Sequence, residues 1–83
     1  MKLKQYIEKH EMSDKNGIRC IVIIGQQTGE VIGTGKDYKD ASVIAYEYWA
    51  SGNDNNTTFL LSYFDGIHPI GRKYFHAEDM KLI

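Results

Sequence analysis

The sequence predicts a single α+β domain, residues 1–83, in which a mostly antiparallel sheet of about four strands packs against two helices. Two segments repeat apolar residues every three to four positions, as a one-sided helix does. Four further segments are either rich in β-branched residues or alternate in the strand period. Turn signals between neighbouring strands favour hairpins, so the predicted order is α-β-β-α-β-β.

The first half of the chain predicts one helix and one hairpin. Apolar residues at helical spacing place the helix over residues 2–12, and Gly17 belongs to the turn signal that follows it. Residues 18–25 are apolar on both faces at their centre, which is typical of a central strand covered on both sides or across much of one. A turn at Gly29 then leads to a second strand over residues 30–35.

The last third of the chain predicts a second hairpin. Residues 57–64 follow the strand period, which places Phe59, Leu61 and Tyr63 on one face. Asp65-Gly66 is the strongest hairpin signal in the sequence. Pro69 cannot donate a ladder hydrogen bond, so the returning strand is predicted to be an edge strand. Residues 77–83 fit either a helical turn or a last short strand, and the pattern does not separate the two.

The second helix is predicted to begin after an N-cap at Asp37 and to end near Ser51, with Gly52 as its stop. At 100° per residue, a stripe of small and apolar residues faces the sheet. That stripe consists of Ala41, Ile44, Ala45 and Tyr48.

The opposite face of this helix is apolar as well, whereas the outward face of a lone helix on a sheet is ordinarily polar. Val43, Tyr46 and Ala50 lie there, and Trp49 lies on the flank between the two faces. Exposed Tyr and Trp side chains are favoured anchors of protein interfaces. We therefore expect these four residues to bind another protein, or a second copy of the chain. The alternative is that the first helix or the C-terminal tail covers them.

A second candidate surface is the basic and aromatic segment Arg72, Lys73, Tyr74 and Phe75. Aromatic rings within a positive groove are the usual means of binding single-stranded nucleic acid. Strand alternation, however, sends neighbouring residues to opposite faces and so divides the charge. Nucleic-acid binding is therefore the alternative function, and charge that protects a sheet edge is the simpler explanation.

Several function classes are disfavoured by composition and spacing. Ten basic and eleven acidic residues give a net charge of −1, unlike the strongly basic balance of many nucleic-acid binders. The segment from Gly29 to Lys36 has five residues between Gly29 and Gly35 where a P-loop has four, and Asp37 follows Lys36. Cys20 lies in the most apolar strand, where burial suppresses the reactive thiolate.

A metal site would have to use side chains near the C-terminal end of the chain, whose spacing lacks the close His or Cys pairs of zinc sites. These side chains are Asp65, His68, His76, Glu78 and Asp79. We expect no metal, no cofactor and no enzymatic activity.

The first residues contain charges every few positions and predict no signal peptide, and no run of about 20 apolar residues predicts a membrane helix. We therefore expect a cytoplasmic protein. In its size, stand-alone architecture and lack of a catalytic constellation, the chain resembles the general type of small inhibitor or adaptor that phages use against host enzymes and defence systems. That resemblance implies a protein partner and assigns no residue.

Overall fold

The computed structural model describes residues 1–9, 19–52 and 57–83. Within these ranges, two helices flank a five-stranded antiparallel sheet of order β2-β1-β3-β4-β5. The α+β class and the predicted order of elements are confirmed, with one additional strand. The elements are α1 (Leu3–Lys9), β1 (Arg19–Gly25), β2 (Val31–Gly35), α2 (Tyr38–Ala50), β3 (Thr58–Asp65), β4 (His68–His76) and β5 (Lys81–Leu82). The predicted end of the first helix and the turn at Gly17 lie outside the described residues.

Strand β1 is covered on both faces, as its β-branched sequence predicts. Val22 and Ile24 form one small core cluster with Phe64, against which Leu3 and Ile7 of α1 pack. The alternate residues Ile21 and Ile23 face the other way and join the main core under α2. The two helices therefore lie on opposite faces of the sheet.

Helix α2 packs over β2, β1 and β3 through the small residues Ala41 and Ala45, which are fully buried. Its first turn is capped twice. The Asp37 carboxylate accepts the Asp40 N–H at 2.8 Å, and the Asp40 carboxylate accepts the Lys36 N–H at 3.0 Å. The helix ends at the predicted place, with Ser51 as its C-cap and Gly52 at a φ of +72°.

The hairpin between β3 and β4 turns at Gly66, whose φ is +63°, as the Asp65-Gly66 signal predicts. The prediction that β4 is an edge strand is wrong for part of its length. Its last residues pair with β5, whereas its first residues, including Pro69, pair only with β3 among the described residues. Pro69 thus occupies a position where the missing N–H disturbs no second ladder.

The C-terminal residues form a turn over 77–80 and then β5, so the second of the two predicted alternatives is confirmed. Met80 has a φ of +52°, which reverses the chain after Ala77. Tyr74 and Ile83 exchange two backbone hydrogen bonds of 3.0 and 2.8 Å, and these extend the ladder beyond β5. No helix among the described residues is long and apolar enough to cross a membrane.

Candidate protein-binding surface

The outward face of α2 carries exposed apolar side chains where the helical spacing predicts them. Val43 is 44% exposed and Tyr46 is 38% exposed. Ala50 is also exposed, while Trp49 is half-buried and packs against the main core. The centroids of the Tyr46 and Trp49 rings lie 5.9 Å apart, and the ring planes are tilted by 50°. The exposed Tyr46 ring therefore packs against the half-buried Trp49 ring.

Among the described residues, neither α1 nor the C-terminal tail lies over this face. Helix α1 packs on the opposite face of the sheet, and the C-terminal residues form the edge strand β5 beside α2. A groove of about 320 Å³ separates α2 from β5. The residues lining it are Lys39, Ser42, Val43, Phe75, Met80 and Leu82.

The groove extends the apolar surface of α2 onto the sheet edge. Met80 and Leu82 are 53% and 38% exposed, comparable with Val43 and Tyr46 on the helix side. We call the exposed apolar residues Val43, Tyr46, Met80 and Leu82 the α2–β5 surface. Met80 and Leu82 are not among the residues that the sequence predicts for this surface. The signal for them was an apolar–polar–apolar alternation of three residues, too short to predict a strand.

Two charged side chains border the α2 part of this surface. Lys39 and Glu47 are exposed, and neither forms an ion pair with another described residue. The ion pairs lie elsewhere: Glu30 pairs with the Met1 amino group and with Lys2, and Arg19 pairs with Asp65. The hydrogen bond from the Met1 amino group, followed by that from Lys2, lowers the pKa of Glu30.

The basic and aromatic segment of β4 is divided between the two faces of the sheet. Phe75 pairs with Phe59 in the main core and is 1% exposed, so its ring is inaccessible to a base. The Lys73 ammonium lies 4.9 Å from the centre of the Tyr38 ring, on the α2 side. Arg72 and half-buried Tyr74 are on the α1 side, where Arg72 lines a shallow groove of about 340 Å³. The four residues do not form one surface.

The residues considered for chemistry have structural roles in the described chain. Gly29 forms a turn at a φ of +72°, and its N–H donates to the Gly25 carbonyl at 2.8 Å. His76 Nδ1 lies 3.1 Å from Thr58 Oγ1, and Asp65 pairs with Arg19. Burial raises the pKa of the Cys20 thiol.

The described part of the chain contains no group of three or more His, Cys, Asp or Glu side chains placed to hold a metal ion. The α2–β5 surface is the candidate site because exposed apolar side chains from two elements border one groove there. The chain matches no protein-family model, and no curated protein or solved structure is significantly similar to it.

Proposed function

We propose that this chain is a non-enzymatic protein-binding module that works through the α2–β5 surface. The observation that carries the proposal is the exposure of Val43 and Tyr46 on a helix whose other face already covers the sheet. An 83-residue chain has few large apolar side chains to spare from its core, so apolar side chains kept at its surface are candidates for contact with a partner.

The chemistry of the surface suits a protein partner. Binding energy in protein interfaces concentrates in a few aromatic anchors that are surrounded by small apolar contacts. Tyr46, supported by the Trp49 ring, has the position of such an anchor, and Val43 and Ala50 are the small neighbours. Binding here acts by occlusion or scaffolding, as in small inhibitor and adaptor proteins. We place this activity in the cytoplasm, where the single Cys20 stays reduced.

Substitutions on the surface test the proposal. Val43→Glu and Tyr46→Ala remove apolar contact area at exposed positions, so we expect both to abolish capture of a protein partner from native lysate. Their circular dichroism and melting temperature should stay close to those of the parent chain, because surface changes alter stability by about 0.5 kcal/mol or less. Ile70→Glu is the control, since Ile70 is exposed in β4 and lies outside the α2–β5 surface.

Site-specific photo-crosslinking gives an independent readout. A benzophenone side chain at position 46 should yield a discrete protein adduct, and the same group at position 70 should not. Equal adducts from both positions, or full capture by Val43→Glu, would contradict the proposal. A large loss of stability in Val43→Glu would show instead that this side chain belongs to the core.

A further inference from the structure

We infer that the partner of the α2–β5 surface is a second copy of this chain, bound through an antiparallel crossing of two α2 helices centred on Val43. The inference rests on the proposed function, because it uses the same surface. What it adds is the identity of the partner and the register of the contact. Both come from the positions of two unpaired charges.

Lys39, Val43 and Glu47 are spaced four residues apart and form one ridge along the exposed side of α2. Lys39 and Glu47 each lie about 6 Å along the helix axis from Val43, one toward each end. The ridge therefore has an apolar centre, a positive end and a negative end. Neither charge has an ion-pair partner among the described residues.

A ridge of this kind is complementary to itself. A two-fold axis at Val43, perpendicular to the ridge, places the Lys39 end of one copy against the Glu47 end of the other, and the reverse. The two Val43 side chains then meet at the centre. Superposing these ridges makes the helices cross about 50° away from antiparallel, because each ridge is inclined by about 26° to its own helix axis.

The flanks of the ridge agree with this arrangement. Tyr46 lies on one side of the ridge. In the dimer it faces the Tyr46 ring of the second copy, close to the two-fold axis. Met80 and Leu82 form the adjoining rim across the groove, where the second copy can cover them. Opposite charges at equal distances from Val43 make the ridge complementary to itself in a symmetric contact between identical chains, whereas an unrelated partner gives no reason for this symmetry.

Charge reversal tests the register. Lys39→Glu and Glu47→Lys each turn both 39–47 contacts of the dimer into pairs of like charges. We expect each variant to weaken association by roughly tenfold, measured by sedimentation equilibrium over a concentration series. The double variant Lys39→Glu/Glu47→Lys restores opposite charges, so its dissociation constant should return to within about threefold of the parent value. Raising the salt concentration should reduce the difference in dissociation constant between each single variant and the parent chain, because salt screens the repulsion between like charges.

A mixing experiment separates charge complementarity from any effect on folding. In an equimolar mixture of the two single variants, every interfacial pair of the mixed dimer is again opposite in charge. The mixture should therefore associate more tightly than either variant alone. Circular dichroism of each variant verifies that the exposed substitutions leave α2 intact. Ile70→Glu serves as the control outside the ridge and should dimerise like the parent chain.

Three results would overturn the inference. A parent chain that stays monomeric up to about 1 mM excludes the dimer. The proposed function would still stand in that case if the chain captures a different protein and Val43→Glu abolishes that capture. A dimer that tolerates Val43→Glu uses another surface. Val43→Glu could disrupt the dimer while the charge reversals at Lys39 and Glu47, alone or combined, leave its dissociation constant unchanged. That result would mean that the dimer uses α2 in a different register. A Val43→Glu variant that changes neither self-association nor capture would overturn the proposed function as well.

Discussion

At the scale of single residues, Gly35 marks the closest approach between the sheet and α2. A Cβ atom at this position would lie 2.6 Å from the Ala41 backbone nitrogen, well inside van der Waals contact. We expect Gly35→Ala to lower the free energy of unfolding by about 2 kcal/mol, because either the strand or the helix has to move. Urea denaturation followed by circular dichroism measures the change.

Gly33 in the same strand provides the matched control for that prediction. A Cβ atom added there would meet no other atom within 4 Å. Because alanine restricts the unfolded chain more than glycine does, Gly33→Ala should leave stability unchanged or raise it slightly. Equal losses in the two variants would mean that glycine flexibility in β2, rather than close packing on Ala41, matters.

Cys20 provides a second prediction for a single side chain. Burial raises the pKa of its thiol, so less of the reactive thiolate is present at pH 8 than in an exposed cysteine. Labelling with a thiol reagent at pH 8 should therefore be slow in the native protein and several-fold faster in denaturing urea. Labelling at the same rate in both conditions would contradict the half-buried position of this side chain in β1.

At the scale of secondary-structure elements, α2 depends on the cap at its N-terminus. Replacing Asp37 by Ala removes the acceptor for the Asp40 N–H and should cost about 1 kcal/mol of stability. Asp37→Asn keeps an acceptor of similar length and should cost much less. Thermal melts of the two variants make the comparison, and similar melting temperatures would show that the hydrogen bond contributes little.

The sequence predicted α2 almost to the residue, because local signals determine it. Asp37 caps its start, apolar residues recur at helical spacing, and Gly52 follows its end. Strand β5 could not be predicted in the same way. It is two residues long and pairs with the adjacent end of β4 across the turn at 77–80. That turn places Met80 at a φ of +52°, which a non-glycine residue rarely adopts, so the sequence carries no ordinary turn signal there.

At the scale of the whole molecule, the decisive feature is the face of the sheet on which each helix lies. Periodicity predicted two helices, but it left open whether they share a face, because each amphipathic stripe fits either one. The structure places Leu3 and Ile7 of α1 against Val22 and Ile24, and it places α2 against the opposite face. Helical spacing alone therefore predicts that Val43 and Tyr46 point outward, whereas only the fold shows that neither α1 nor β5 covers them.

Division of the helices between two faces also explains why the exposed surface lies at one edge. Helix α2 packs over β2, β1 and β3, and β4 and β5 extend beyond it, with Leu82 beside the groove. One helix is too narrow to cover five strands spaced about 4.8 Å apart. The α2–β5 surface is the uncovered remainder of that face together with the outer side of the helix.

A dilution series followed by two-dimensional ¹H–¹⁵N NMR tests most directly whether this surface associates with a second copy. On dilution from about 1 mM, we expect the amide signals of α2 near Lys39, Val43 and Glu47, and those around Leu82, to shift together along a single binding curve. Signals of α1 should remain fixed. Shifts that concentrate on α1, or spectra that do not change with concentration, would contradict the account.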